Sequence, residues 1–377
     1  MYMRGGTSKG VFFRLQDLPD EARVPGPTRD ALLLRIIGSP DPYRKHTDGM
    51  GGATSSTSKT VIISKSDRAD YDVDYLFGQV AIDKPVIDWS GNCGNLTAAV
   101  GAFAVHQGLI DPARVPEDGI CTVRIWQSNI GKSIRAHVPM RGGCVQEDGD
   151  FILDGVTFPA AEVRIDFLHP ADADAALFPT GQTLDTFSVP DEGSFKATFI
   201  NAGIPTIFVR AEDLGFDGTE SQLLINGNDE QLSRLERIRA HGALKMGLIE
   251  NLEQAQARQH TPKLAWIAAP RDFCASSGAA ISQDQIDLNV RAMSMGQLHH
   301  AMMGTAAVAI ASAVAIPGTL LAELVGGQPP SSICFGHPSG TLRVGALATQ
   351  VGDQWVIERV SMSRSARVLM EGHVWVP

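Results

Sequence analysis

With 377 residues the chain is too long for one ordinary core, and its size alone predicts two domains. Its 44% hydrophobic and 20% charged residues suit a folded globular protein, and its formal net charge of -10 excludes a uniformly basic nucleic-acid face without forbidding a few cations around an anionic substrate. The five cysteines, Cys93, Cys121, Cys144, Cys274 and Cys334, are odd in number and widely spaced with no CxxC pair, which argues against a disulfide framework or a structural zinc site and for a reducing, cytoplasmic compartment.

Residues 1–13 read as a strand end, a glycine turn and a second strand; a chain that opens inside a strand suggests a longer N-terminus, and no secretory signal precedes the first polar residues. A helical pattern follows Thr28 over 29–37. Residues 61–64, 73–82, 122–126 and 134–138 alternate as strands, rich in β-branched side chains. Between them, 95–107 is apolar nearly all round and closed by Gly108, so it predicts a helix enclosed by other structure. The later half repeats the plan. Strands surround an Asn-Ala-Gly-Ile-Pro turn over 195–209, a helix with a break near Gly242 covers 233–252, and a strand covers 264–268. A second all-apolar helix spans 301–316, uncharged but short for a membrane span and ended by Pro317-Gly318; strands at 341–349, 355–362 and 368–376 follow. Each half therefore predicts strands wrapped around one buried helix, which fits an internal duplication with little shared sequence and fits equally an ordinary α+β protein with two unrelated domains. The boundary is expected among the turn-rich residues 180–194, giving one domain over 1–188, joined by 363–377, and another over 189–362.

Ser90-Gly-Asn-Cys-Gly-Asn95 places a thiol in a glycine-flanked turn that opens the first buried helix. A helix N-terminus offers unpaired N–H groups and a positive dipole end, which bind a carboxylate, stabilise charge developing on it, and favour the thiolate of Cys93 as a base. The same residues would also fit an asparagine cap with Cys93 as a small buried hydrophobe. Gly51-Gly-Ala-Thr-Ser-Ser-Thr-Ser-Lys-Thr60 crowds hydroxyl and backbone donors beside one ammonium group. That suits an anion with several carboxylates, and a desolvated lysine there could act as a base; a flexible polar loop with a surface lysine is the alternative. The spacing is not that of a P-loop.

Asn92-Cys-Gly-Asn95 before an Ala-rich helix resembles the thiol loop of the diaminopimelate epimerase superfamily. The resemblance to the PrpF family, the 2-methylaconitate cis-trans isomerases, is closer and covers essentially the whole chain. It is carried by Met3-Arg-Gly-Gly-Thr-Ser-Lys-Gly10, Asp48-Gly-Met-Gly-Gly-Ala-Thr-Ser-Ser-Thr-Ser-Lys59, Asp88-Trp-Ser-Gly-Asn-Cys-Gly-Asn95, Ile200-Asn-Ala-Gly-Ile-Pro205, His299-His-Ala-Met-Met-Gly-Thr305, His337-Pro-Ser-Gly340 and Ser363-Arg-Ser-Ala-Arg367. It implies an α+β, diaminopimelate epimerase-like fold of two pseudo-symmetric domains, each a β-barrel-like sheet around a central helix, with the site in the cleft between them. It implies isomerisation of a small tricarboxylate with no metal and no organic cofactor.

By this resemblance Lys59 and Cys93 match the lysine and cysteine of the reaction centre, with their two roles left open. Substrate binding falls to Arg4 and Ser8 of the hairpin, Ser58 of the donor-rich loop, and Asn92, Gly94 and Asn95 of the thiol loop. Asn201, Met303, Gly304, Thr305 and Arg364 complete the set. The two-thiol epimerases carry a second cysteine at about the place of Met303. One thiol with one lysine instead suits a proton removed and returned at two carbons of an allylic unit. His299 and His300 lack the spacing of a helical metal pair. The reaction expected is a double-bond or proton shift in 2-methylaconitate or aconitate, in the 2-methylcitrate route of propionate breakdown. The alternatives are a 4-oxalomesaconate tautomerase and a non-catalytic accessory protein of an iron–sulfur 2-methylcitrate dehydratase; a binding partner would need neither Lys59 nor Cys93. Neither nucleic acid nor membrane is expected as a partner; a functional link to that dehydratase is expected, and a homo-oligomer is left open.

Overall fold

The computed structural model describes residues 1–171, 175–326, 330 and 332–376. The chain forms two compact units, Met1–Phe167 with Ser363–Pro377, and Leu168–Met362. The first crossing lies well before the expected 188/189 boundary. The reason is pairing: the strand Asp185–Val189 joins Gly193–Ala202 antiparallel, so the turn-rich stretch 190–192 closes a hairpin inside the second unit and does not link domains.

In the first unit Tyr2–Gly5 and Ser8–Arg14 form an antiparallel hairpin, and Ser8–Arg14 then pairs parallel with Lys59–Lys65. Lys59–Lys65 pairs antiparallel with Val73–Val80, which pairs parallel with Gly119–Gln127, which pairs antiparallel with Lys132–Arg141. The helix Thr97–His106 leaves the sheet between Val73–Val80 and Gly119–Gln127. It packs on Tyr2–Gly5 near one end of this series, on Gly119–Gln127 and Lys132–Arg141 at the other, and on the late strand Ala366–Met370. Residues Thr97 to Ala104 are all buried, as an all-apolar helix requires.

The second unit repeats the order of directions. Gly193–Ala202 pairs antiparallel with Ile204–Arg210, and that strand pairs parallel with Lys263–Ala268. Lys263–Ala268 pairs antiparallel with Leu288–Ser294, which pairs parallel with Ser332–His337 and through it antiparallel with Gly340–Val351. The helix Gly304–Val314, buried at every residue, again leaves between the fourth and fifth strands of the series and packs on Gly193–Ala202, Ile204–Arg210 and Gly340–Val351. The duplication read from the sequence is therefore a duplication of topology.

Two expectations change. The helix expected over 233–252 runs unbroken from Asp229 to Lys245, with Gly242 inside it. A Cβ on Gly242 would lie 2.2 Å from Ile207 Cδ1, so the glycine seats the helix against the sheet and does not break it. The last strand stops at Met370, short of 376. No helix among the described residues is long and apolar enough to cross a membrane.

Candidate active site

Lys59 is the first residue of its strand, directly opposite Gln79 in the antiparallel register. Its side chain is buried on the face that also carries Val61 and Ile63 from its own strand and Phe77 and Tyr75 from the neighbour. The Lys59 Nζ donates to Gln79 Oε1 and stands 5.0 Å from the centroid of the Phe77 ring. Burial pushes its ammonium below the ordinary lysine range, because the charged form has lost its water; charge on Cys93 acts in the opposite, weaker sense.

The thiol loop sits beside it. The backbone of Cys93 is pinned: its carbonyl accepts from Thr97 N at 3.0 Å, Thr97 Oγ1 at 3.0 Å and the Tyr75 hydroxyl at 3.4 Å. Its sulfur accepts from Leu96 N at 3.5 Å, one of the free N–H groups where the helix begins, and meets Ser8 Oγ at 3.9 Å. Arg364 is buried as well. Its Nε donates to Asn95 Oδ1 at 3.0 Å, and the Asn95 amide donates to Thr7 Oγ1 at 3.1 Å. Desolvation lowers the Arg364 guanidinium to about 10, so it stays a cation at neutral pH, with charge on Cys93 acting to raise it. The hairpin comes close because it carries glycine: Gly6 is left-handed, at φ 53°, and a Cβ there would lie 2.5 Å from Asn95 Oδ1. Asn129 ties the pieces together, its Nδ2 donating to Phe77 O at 2.8 Å and to Trp89 O at 2.6 Å.

The first unit therefore gathers Lys59, Cys93, Ser8, Asn92, Gly94, Asn95 and Arg364. Ser58 Oγ and Asn92 Oδ1 are buried and have no partner among the described residues. Arg4 stands in the hairpin frame, where its Nη1 donates to the carbonyls of Gly6 and Ser365. The loop hydroxyls of Thr54, Ser56 and Thr57 bond mainly to one another. Asn201, Met303, Gly304 and Thr305 belong to the second unit. There Met303 caps the buried helix, and Gly203, at φ 69°, brings the Asn-Ala-Gly-Ile-Pro turn so near that a Cβ would lie 2.7 Å from Thr305 O. The Asn201 amide donates to Ala176 O at 3.0 Å. His299 and His300 stack on each other, 4.6 Å between centroids.

Sequence reasoning missed Gln79, Tyr75 and Thr97. A signal existed for Gln79: Val73, Tyr75 and Phe77 set an inward alternation, and a polar side chain at the next inward place needs a partner.

A buried lysine, a thiol, a guanidinium and helix-end N–H groups within one unit are the kinds of group that can move a proton on carbon next to a carboxylate and hold the resulting charge. Residues 1–377 match the family described as PrpF protein. The chain is 66% identical over 380 residues to a 2-methyl-aconitate isomerase of Shewanella oneidensis, covering 100% of this chain and 96% of that protein. It is 62% identical, with the same coverage, to a 2-methyl-aconitate isomerase of Cupriavidus necator, and 38% identical to a 4-oxalomesaconate tautomerase of Pseudomonas putida, covering 100% and 95%. The crystal structure of a methylitaconate-delta-isomerase, 36% identical, superposes with a TM-score of 0.82 over 99% of this chain and 94% of that one. A probable proline racemase from Agrobacterium radiobacter, 12% identical, shares the fold with a TM-score of 0.56 over 100% and 94%.

Proposed function

Because the chain belongs to the PrpF family and is an isomerase of diaminopimelate epimerase-like fold, we propose that it moves a double bond within 2-methylaconitate, using Lys59 as the base. The observation that carries the chemistry is a lysine buried beside a thiol, its ammonium disfavoured by desolvation. The substrate follows from the relatives: those named 2-methyl-aconitate isomerase share far more of this sequence than the one named for oxalomesaconate.

The neutral amine of Lys59 takes a proton from an allylic carbon beside a carboxylate. The electron pair left behind spreads as a dienolate onto that carboxylate, where Arg364 and the N–H groups ahead of Thr97 oppose the charge. A proton returned to the far carbon of the allylic unit completes the shift, from the Lys59 ammonium itself or from the Cys93 thiol; in the second case the proton on Lys59 passes to the Cys93 thiolate through solvent, which restores both groups. Atoms and charge balance without an oxidant or reductant. Arg4, Ser8, Ser58, Asn92, Gly94 and Asn95 supply further contacts to the carboxylates in this reading. The same reading puts the enzyme in the cytoplasm, on the 2-methylcitrate route of propionate breakdown, linked in function to an iron–sulfur 2-methylcitrate dehydratase.

The test is incubation of purified, chelator-treated protein with 2-methyl-trans-aconitate, trans-aconitate and 4-oxalomesaconate, followed by NMR. Conversion of the methylated substrate with the highest kcat/KM is expected. Preference for the keto acid would move the assignment to a tautomerase. Loss of activity that a divalent metal restores would overturn the cofactor-free mechanism.

A further inference from the structure

We propose that Gln79 is the positioning residue for Lys59: its carboxamide is locked so that only an oxygen faces the Nζ, which fixes one N–H and leaves the lone pair of the neutral amine for substrate. The proposal rests on the reading of Lys59 as base.

The lock is in the main chain. Gln79 Nε2 donates to Ser58 O at 2.9 Å and to Ser55 O at 3.2 Å. A flipped amide would put Oε1 against two carbonyl oxygens and an N–H group against the amine, so only one orientation satisfies all four groups. Both carbonyls come from the loop that delivers Lys59, so one side chain couples the loop, the strand Val73–Val80 and the base. A neutral acceptor also matters. Glutamate would fit the same space but would add a charge that holds the ammonium.

The surroundings of Lys59 leave this position decisive. The strand Val73–Val80 presents Tyr75, Phe77 and Gln79, and the thiol loop presents Cys93, whose charge opposes the effect of burial on Lys59. The hairpin presents the main chain at Gly10, while its Lys9 Nζ lies over the Tyr2 ring at 5.3 Å. Charge on Cys93 acts on Arg364 as well.

The experiment compares Gln79→Glu and Gln79→Met with the parent protein in the pH profile of kcat/KM on 2-methyl-trans-aconitate. Gln79→Glu is expected to move the acid limb up by about one to three pH units, with most of the lost rate recovered above it. Gln79→Met is expected to lower kcat by about tenfold or more, while KM changes less than about threefold, because orientation and not substrate contact is lost. A folded Gln79→Glu protein with an unmoved acid limb would overturn the proposal. If that variant does not fold, a Gln79→Met protein of parental kcat would overturn it. Competitive acetylation of Lys59 across pH, read by mass spectrometry, separates this proposal from the reaction assignment. Its midpoint should rise in Gln79→Glu whether or not the chain turns over that substrate, and an unmoved midpoint counts against Gln79 alone.

Discussion

Lys59→Ala removes the amine and leaves Cys93, Arg364 and the Thr97–His106 helix untouched. The expected loss in kcat is roughly 10²-fold or more, the scale of a positioned general base, with the fold intact by circular dichroism. Near-normal turnover would take Lys59 out of the chemistry. The pH dependence has a definite sign. Desolvation lowers the Lys59 ammonium below 10.5, and the base is the unprotonated form. The rate of the parent protein should therefore rise with pH through an acid limb that lies below the ordinary lysine range, and fall away beneath it. Cys93→Ser separates the two roles of the thiol: in D₂O it should abolish deuterium delivery to the far carbon if sulfur returns the proton, and only weaken turnover if it positions substrate. The sequence made part of this site legible. A thiol between glycines at a helix start, and a lysine closing a run of hydroxyl residues, are local patterns with local meanings. The pairing of Asn95 with Arg364 is not local, since no short-range pattern joins residues so far apart in the chain.

At the scale of elements, the two buried helices declared themselves because neither has a polar face, and what remained was only their ends, Thr97 to His106 and Gly304 to Val314. Strands were harder wherever burial and polarity disagree. Leu288–Ser294 carries Asn289 and Arg291 at buried positions, which breaks the apolar signature; Arg291 is satisfied there by donating to Glu220 O at 2.8 Å. Strand pairing itself is invisible in one sequence, so the repeated order of parallel and antiparallel neighbours appears only in three dimensions. The hairpin turns make that repeat testable. Gly6→Ala adds a Cβ to a left-handed residue and drives it into Asn95 Oδ1, displacing the partner of Arg364. Gly203→Ala does the same against Thr305 O and Val308. Each should cost about 1–3 kcal/mol in stability, measured by denaturant unfolding. Gly6→Ala should also depress kcat/KM, because its clash falls on the site. Parental stability in both variants would mean the turns are looser than the glycines imply.

On the scale of the whole molecule, the chain begins and ends in the same unit. The strand Ala366–Met370 pairs antiparallel with Tyr2–Gly5, Val368 N donates to Glu147 Oε1 at 2.7 Å, and Arg364 holds Asn95. The segment Ser363–Pro377 is thus a structural part of the first unit, although the second unit separates it in sequence. Deleting it removes a strand beside the hairpin, the cation next to Cys93 and the support of Asn95 together. The second unit keeps the pairing of Gly340–Val351 with residues up to Met362. Hydrogen exchange read by mass spectrometry should therefore show faster exchange in residues 1–14 and 95–106 of the truncated protein, with the helix Gly304–Val314 protected as before. Activity should be lost even where the protein remains folded by far-UV circular dichroism. Unchanged protection of residues 95–106 would show that the thiol loop stands without the returning segment, and Arg364 would then act on substrate alone and not through Asn95.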